Sequence, residues 1–117
     1  MKNKRITKAI HNLLCKWDRQ GYSPSSINTG CCDEFAQELQ EQFPKGQAIW
    51  GDDYPELFKG GVDPYRHCFF SFQGMYYDSE MPNGTNHPAR LPYYARQIKA
   101  RQWNTVGEMV GNILDVF

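Results

Sequence analysis

The stretch HCFFSFQGMYYD, residues 67–78, carries the strongest structural signal in the chain. Two aromatic-rich runs flank Gln73 and Gly74, and such runs around a two-residue turn predict an antiparallel β-hairpin. In this register His67 and Asp78 lie on one face as diagonal neighbours, with β-carbons about 7 Å apart or less. The predicted strand pairs are Phe72 with Met75, Ser71 with Tyr76, Phe70 with Tyr77, and Phe69 with Asp78.

A second stretch, NTGCCDEFAQEL at residues 28–39, places two adjacent cysteines where a helix is predicted to begin. On a helix of 3.6 residues per turn, Cys32 lies near the centre of the apolar stripe, whereas Cys31 lies roughly 90° away. The unpaired N–H groups of a first helical turn favour a thiolate by about 0.3–1 kcal/mol. The two acidic residues that follow oppose this charge, so a cationic partner is required, and His67 is the candidate.

A thiol, an imidazole and a carboxylate are the three parts of an activated cysteine nucleophile. The predicted catalytic residues are Cys32 as nucleophile, His67 as base and Asp78 as the carboxylate that orients the imidazole. Each residue also has a purely structural interpretation: Cys32 as a small buried side chain, His67 as a strand-end histidine, and Asp78 as a surface carboxylate. Their joint placement favours the catalytic interpretation, although a turn one residue longer would move Asp78 to the other face.

A zinc site is the alternative interpretation of the cysteines, because Cys31, Cys32, His67 and Cys68 supply zinc-type ligands. Zinc sites usually space their cysteines two to four residues apart, whereas adjacent residues on a helix or strand point in different directions. We therefore expect neither a metal nor an organic cofactor. Cys15 and Cys68 are predicted to be core residues.

Length and charge limit the remaining classes of function. The 117 residues suffice for one domain, predicted to span residues 1–117. Thirteen basic residues balance thirteen acidic ones, and no stretch concentrates one sign, so we expect no nucleic-acid partner. In the basic N-terminus, apolar residues recur at helical spacing and are interrupted by polar ones, which predicts an amphipathic helix at residues 4–20 and no membrane partner. The four cysteines are expected to be reduced thiols of a cytoplasmic protein.

The rest of the chain gives shorter signals. The stretch GYSPSSINTG predicts a loop, and the second helix is predicted to end before Phe43 and Pro44. QAIW predicts a short strand, and residues 51–66 a long loop that flanks the cleft. MPNGTNHP predicts a polar turn region. The C-terminal elements, residues 89–117, are predicted to contain a helix entered at Pro92 and a last helix or strand in VGEMVGNILDVF.

Two motifs together resemble a known superfamily. GCCDEFA resembles the G-x-C-x-x-F-A pattern around the nucleophile of papain-like and transglutaminase-like proteins, with matches at Gly30, Cys32, Phe35 and Ala36. HCFFSFQGMYYD resembles the second half of that signature, a strand that opens with the catalytic histidine and an aromatic strand that ends in the orienting aspartate. The continuation YYDSEMPNG is similar to small members of this superfamily encoded in phages and prophages.

The resemblance covers roughly residues 28–84 and implies an α+β fold with a papain-like core, in which the nucleophile helix packs on a small antiparallel sheet. It implies a cysteine hydrolase or acyl transferase that acts on an amide, peptide or isopeptide bond of a protein or peptide substrate. The alternative is a non-catalytic binding or regulatory protein, for example a phage factor acting on a host protein, that retains the fold.

Two features depart from the superfamily pattern. Cys31, beside the predicted nucleophile, is not part of it. Ser26 stands at the spacing where papain has the glutamine that donates to the oxyanion, and Asn28 is the alternative donor.

Overall fold

The computed structural model describes residues 3–58 and 66–99, which form an α+β fold. The described residues contain four helices and one four-stranded antiparallel sheet in the order β1-β2-β3-β4. The helices are α1 (Lys4–Asp18), α2 (Pro24–Gly30), α3 (Cys32–Gln42) and α4, of which residues 92–99 are described. The strands are β1 (Gln47–Trp50), β2 (Cys68–Phe72), β3 (Met75–Asp78) and β4 (Met81–Thr85).

Helix α1 confirms the predicted N-terminal amphipathic helix. The side chain of Asn3 caps it by accepting hydrogen bonds from the backbone N–H groups of Arg5 and Ile6. The helix ends at Asp18, two residues before the predicted end. Its buried face is formed by Ile6, Ala9, Ile10, Leu13 and Trp17. The prediction that Cys15 is a core residue is wrong, because Cys15 lies on the exposed face of this helix.

Helix α2 corrects the prediction of a loop between the first two helices. Ser23 and Ser26 form a reciprocal capping box, and Pro24 occupies the first helical position, where its missing N–H costs nothing. Cys31 separates α2 from α3 with a non-helical backbone conformation. Helix α3 then begins at Cys32 and ends at Gln42, as predicted from the proline that follows.

The predicted hairpin is confirmed. Gln73 and Gly74 have φ values of 51° and 76°, as a type I′ turn requires at both central positions. The register of β2 and β3 contains three of the four predicted pairs, Phe72 with Met75, Ser71 with Tyr76, and Phe70 with Tyr77. The predicted strand QAIW is β1, which pairs with the other edge of β2.

Strand β4 corrects the prediction of a turn region at MPNGTNHP. Pro82 cannot donate a ladder hydrogen bond, but β4 is an edge strand of the sheet formed by the described residues, and a proline is tolerated at an edge. Gly84 has φ of 77°, and a β-carbon there would fall 2.5 Å from the ring of Tyr77. The strand therefore contains the two residues that most disfavour extended structure, each at a position that accommodates it.

Two buried clusters include side chains from opposite faces of the sheet. One packs α1 and α3 against Phe70 and Tyr77. The other packs residues of the 51–58 segment and of the C-terminal region against β1 and β2, and its buried members are Ile49, Phe58, Phe69, Leu91 and Tyr94. Helix α3, which contributes Phe35 and Leu39 to the first cluster, and helix α4, which contributes Tyr94 to the second, thus pack on opposite faces of the sheet.

The remaining predictions are settled in part. Residues 51–66 were predicted as a loop, and their described part contains two short 3₁₀ turns, Gly51–Asp53 and Pro55–Leu57. The predicted helix entered at Pro92 is α4. The undecided element VGEMVGNILDVF lies outside the described residues. Within residues 3–58 and 66–99, no helix is long and apolar enough to cross a membrane.

Candidate active site

His67 and Asp78 form a buried pair at the end of the hairpin. His67 Nε2 lies 3.0 Å from Asp78 Oδ2, and the two side chains are 0% and 3% exposed. Asp78 Oδ1 accepts a second hydrogen bond from the backbone N–H of Glu80, at 2.9 Å. Both carboxylate oxygens therefore have a donor, and the pair that the hairpin register predicted is formed through Nε2 of the imidazole.

Cys32 reaches the start of β2 from the N-terminus of α3. Its Sγ accepts a hydrogen bond, at 3.4 Å, from the backbone N–H of Cys68, the residue that directly follows His67. The other ring nitrogen of His67, Nδ1, is buried and has no hydrogen bond of ordinary geometry among the described residues. The thiol is nevertheless close enough for Cys32 and His67 to shift each other's pKa.

The electrostatics of the pair favour charge separation. Burial of the Cys32 thiol alone would raise its pKa, but the interaction with His67 and the hydrogen bond from the Cys68 N–H outweigh burial and lower it. Burial of the imidazole alone would lower the pKa of His67, but Asp78 and Cys32 outweigh burial and raise it. The two opposite shifts stabilise a thiolate next to an imidazolium.

The neighbouring cysteines show the opposite behaviour. Burial raises the pKa of Cys31, and the charges of Glu34 and Cys32 add to this effect. Burial, aided by the charge of Cys32, raises the pKa of Cys68 to about 12. Cys68 is buried, as predicted. In the part of the chain that the structure describes, no three potential metal ligands converge, so the four residues of the zinc alternative do not form a site.

Aromatic side chains of α4, which no motif in the sequence indicated, enclose the imidazole. The ring of Tyr93 stacks on that of His67 with centroids 4.2 Å apart and an interplanar angle of 16°. Tyr94 contacts the imidazole edge-on at 5.6 Å, and its hydroxyl donates to the main-chain carbonyl of His67. That carbonyl also accepts from the N–H of Gly51, which lies at the start of the predicted cleft-flanking loop.

A polar cluster lies behind Asp78. Glu80 forms a bidentate ion pair with Arg96 of α4, at 2.7 and 2.8 Å. Asn28 Nδ2 donates to Glu80 Oε1 at 2.8 Å, and Asn28 Oδ1 lies 2.9 Å from the hydroxyl of Ser79. The Asn28 side chain, the alternative oxyanion donor, is therefore hydrogen-bonded within this cluster. Its donor and acceptor both join α2 to the β3–β4 turn.

Comparison with protein-family models, curated proteins and solved structures gives no match for this chain. The functional interpretation therefore rests on the geometry of the site. Sequence reasoning identified its three central side chains, and the structure brings all three together. The enclosing tyrosines and Arg96, the partner of Glu80, come from a helix that no local motif connects to the hairpin.

Proposed function

We propose that this protein is a cysteine-dependent hydrolase or acyl transferase that acts on an amide, peptide or isopeptide bond. The observation that carries the proposal is the buried His67–Asp78 pair, 3.0 Å between Nε2 and Oδ2, next to a thiol whose pKa is lowered. Cys32 is the proposed nucleophile, His67 the acid and base, and Asp78 the orienting carboxylate. Membership of the papain-like superfamily is part of this proposal and is supported by the motif at residues 30–36.

In the proposed reaction His67 Nδ1 takes the proton of Cys32, and the thiolate attacks the carbonyl carbon of the substrate. Collapse of the tetrahedral intermediate breaks the bond to the leaving group, which receives the proton from Nδ1, and leaves a thioester on Cys32. Water or an amine then attacks the thioester with His67 again as base, and the Cys32 thiol is regenerated. Asp78 holds the Nε2–H tautomer throughout, so that Nδ1 faces the thiol.

The start of α3 offers donors for the developing oxyanion. Cys31, the residue before the helix, makes no side-chain cap, so it leaves the N–H groups of the first turn available. The N–H of Cys32 is the proposed first donor. The same N–H groups favour the negative charge of the thiolate, against the two acidic residues that follow.

The proposed substrate is a protein or peptide, and the proposed location is the cytoplasm. All four cysteines are free thiols, which suits a reducing compartment. The proposed chemistry uses only side chains and backbone groups of the chain itself.

Trapping of an acyl-enzyme tests the proposal. The purified protein is incubated with a small activated ester, and a mass gain equal to the acyl group is mapped to a peptide. We expect the gain on Cys32, its loss in Cys32→Ser, and its persistence in the matched control Cys31→Ser. Release of the acyl group to water or to an added amine separates hydrolysis from transfer.

Two results would contradict the enzyme proposal. One is acylation that is as slow on Cys32 as on the exposed Cys15, which would mean that the thiol is not activated. The other is an undiminished biological effect of the Cys32→Ser variant. A non-catalytic binding protein would then be the better interpretation.

A further inference from the structure

Helix α4 contacts the site twice, one helical turn apart. Tyr93 covers a face of the His67 ring, and Arg96, three residues later, forms the bidentate pair with Glu80. Residues three apart lie on the same side of a helix, so both contacts come from one face of α4. The Arg96–Glu80 pair thus attaches the helix to the β3–β4 turn one helical turn away from the point where Tyr93 stacks on the imidazole.

Glu80 connects these two contacts through the main chain. Its N–H donates to Asp78 Oδ1, while its carboxylate binds Arg96 and the side-chain amide of Asn28. The Arg96 guanidinium holds the pKa of Glu80 below its usual range, so this carboxylate stays ionised. Glu80 therefore binds the Asp78 carboxylate through its main-chain N–H and helix α4 through its side chain.

We propose that Tyr93, Glu80 and Arg96 form a latch that shields the His67–Asp78 hydrogen bond from water. These three are positioning residues: Tyr93 acts by covering the imidazole, and the ion pair acts by holding Tyr93 in place. The inference rests on the proposed role of His67 as base, which requires a fixed tautomer with the proton on Nε2.

The physical reason for a latch is the strength of the hydrogen bond it protects. A hydrogen bond between an imidazole and a carboxylate is stronger in a dry environment, where water does not compete for the carboxylate. The hydrogen bond itself is buried, but Arg96 is 51% exposed and Glu80 is 16% exposed. Water therefore reaches the outer end of the latch while the ring contact lies inside.

Proton exchange at His67 Nε2 tests the latch without any substrate. The Nε2–H resonance in the ¹H NMR spectrum is assigned by its loss in His67→Gln, and its exchange rate with water is measured. In Arg96→Gln we expect exchange on the order of fivefold faster, the effect of one partly exposed ion pair on an opening equilibrium. In Tyr93→Leu we expect exchange about tenfold faster or more, because the stacked ring itself is lost.

Conservative and remote variants distinguish the latch from general destabilisation. Tyr93→Phe keeps the stacked ring and should exchange like the wild type. Arg19→Gln and Tyr22→Leu replace an exposed arginine and an exposed tyrosine that contact Cys15 and Trp17 of helix α1, and these variants should also leave the rate unchanged. Unaltered backbone amide resonances of β2 and β3 show that each variant is folded, and R96Q decides the question if Y93L does not fold.

Slow exchange in Arg96→Gln equal to that of the wild type would overturn the latch, whatever Tyr93→Leu shows. Rapid exchange in the wild type itself would overturn it as well. Failure of acyl-enzyme formation with the expected exchange pattern intact would reject the proposed function and leave the latch standing. The two proposals therefore fail separately.

Discussion

Replacement of Asp78 by asparagine should disable the site without unfolding the protein. The carboxylate accepts two hydrogen bonds, one from His67 Nε2–H and one from the main-chain N–H of Glu80. The oxygen of an asparagine can serve only one of them. If it faces Glu80, its NH₂ group faces Nε2 and forces the ring proton to Nδ1, where it blocks proton transfer from Cys32. If it faces the ring, the Glu80 N–H loses its acceptor.

The size of the effect follows from the hydrogen bond that is lost. A hydrogen bond to a charged group contributes about 1.5–3 kcal/mol, or about 1–2 pKa units. Asp78 raises the pKa of His67, so that pKa should fall by this amount in Asp78→Asn. Because the imidazolium lowers the pKa of Cys32, the thiol pKa should rise, and the thiolate fraction at pH values below that pKa should decrease by up to about 10–100-fold. Where the asparagine NH₂ group faces the ring and the tautomer is wrong, acylation should decrease further, by up to about 10⁴-fold.

The assay is the rate of iodoacetamide alkylation at Cys32 as a function of pH, followed by peptide mass mapping. The wild-type rate should level off below the usual pH range of a thiol, and the Asp78→Asn curve should shift to higher pH. Asp18→Asn, which removes an exposed carboxylate at the end of α1, is the charge-matched control and should follow the wild type. Superimposed curves for wild type and Asp78→Asn would refute the proposed electrostatic coupling.

Three further variants test other parts of the account. Ser23→Ala removes the α2 cap and should lower the free energy of unfolding by about 1 kcal/mol in urea titration, whereas a residue in a loop would show no change. Gly84→Ala should lower stability by about 1–3 kcal/mol, measured as a reduced Tm, because of its positive φ and the nearby Tyr77 ring; an unchanged Tm would contradict this local geometry. Cys31→Ser should leave the alkylation rate of Cys32 within about twofold of wild type, since the pKa of Cys31 is raised and it is not the activated thiol.

The hairpin and the three site residues were accessible from the sequence because local rules specify them. A two-residue turn of Gln73 and Gly74 fixes the register, and the register alone brings His67 and Asp78 to one face. The period of 3.6 residues selects Cys32 over its neighbour. Each of these inferences needs only the residues of one strand pair or one helix.

Two elements were predicted wrongly because turn-forming residues were given too much weight. Ser23 and Pro24 initiate α2, although the same residues are frequent in loops. Pro82 and Gly84 are accommodated in β4 because it is an edge strand of the sheet that the described residues form and because Gly84 packs against the ring of Tyr77. In both cases these residues do favour turns, but their position within the fold places them at a helix start or in an edge strand instead.

The enclosing residues could not be found from local patterns. Tyr93 and Arg96 are separated from the hairpin by β4 and a short 3₁₀ turn, and their spacing is that of any helix face. Only the packing of α4 beside His67 shows their relation to the site. The same holds for Asn28, which joins Glu80 across 52 residues of sequence.

Competition among the four cysteines for limiting iodoacetamide near neutral pH tests the central claim most directly. Peptide mapping of the wild type should show Cys32 labelled first, because its pKa is lowered while those of Cys31 and Cys68 are raised. In His67→Gln this preference should disappear, with the fold retained. Faster labelling of Cys31, or equally slow labelling of all four thiols in the wild type, would contradict the claim that His67 activates Cys32.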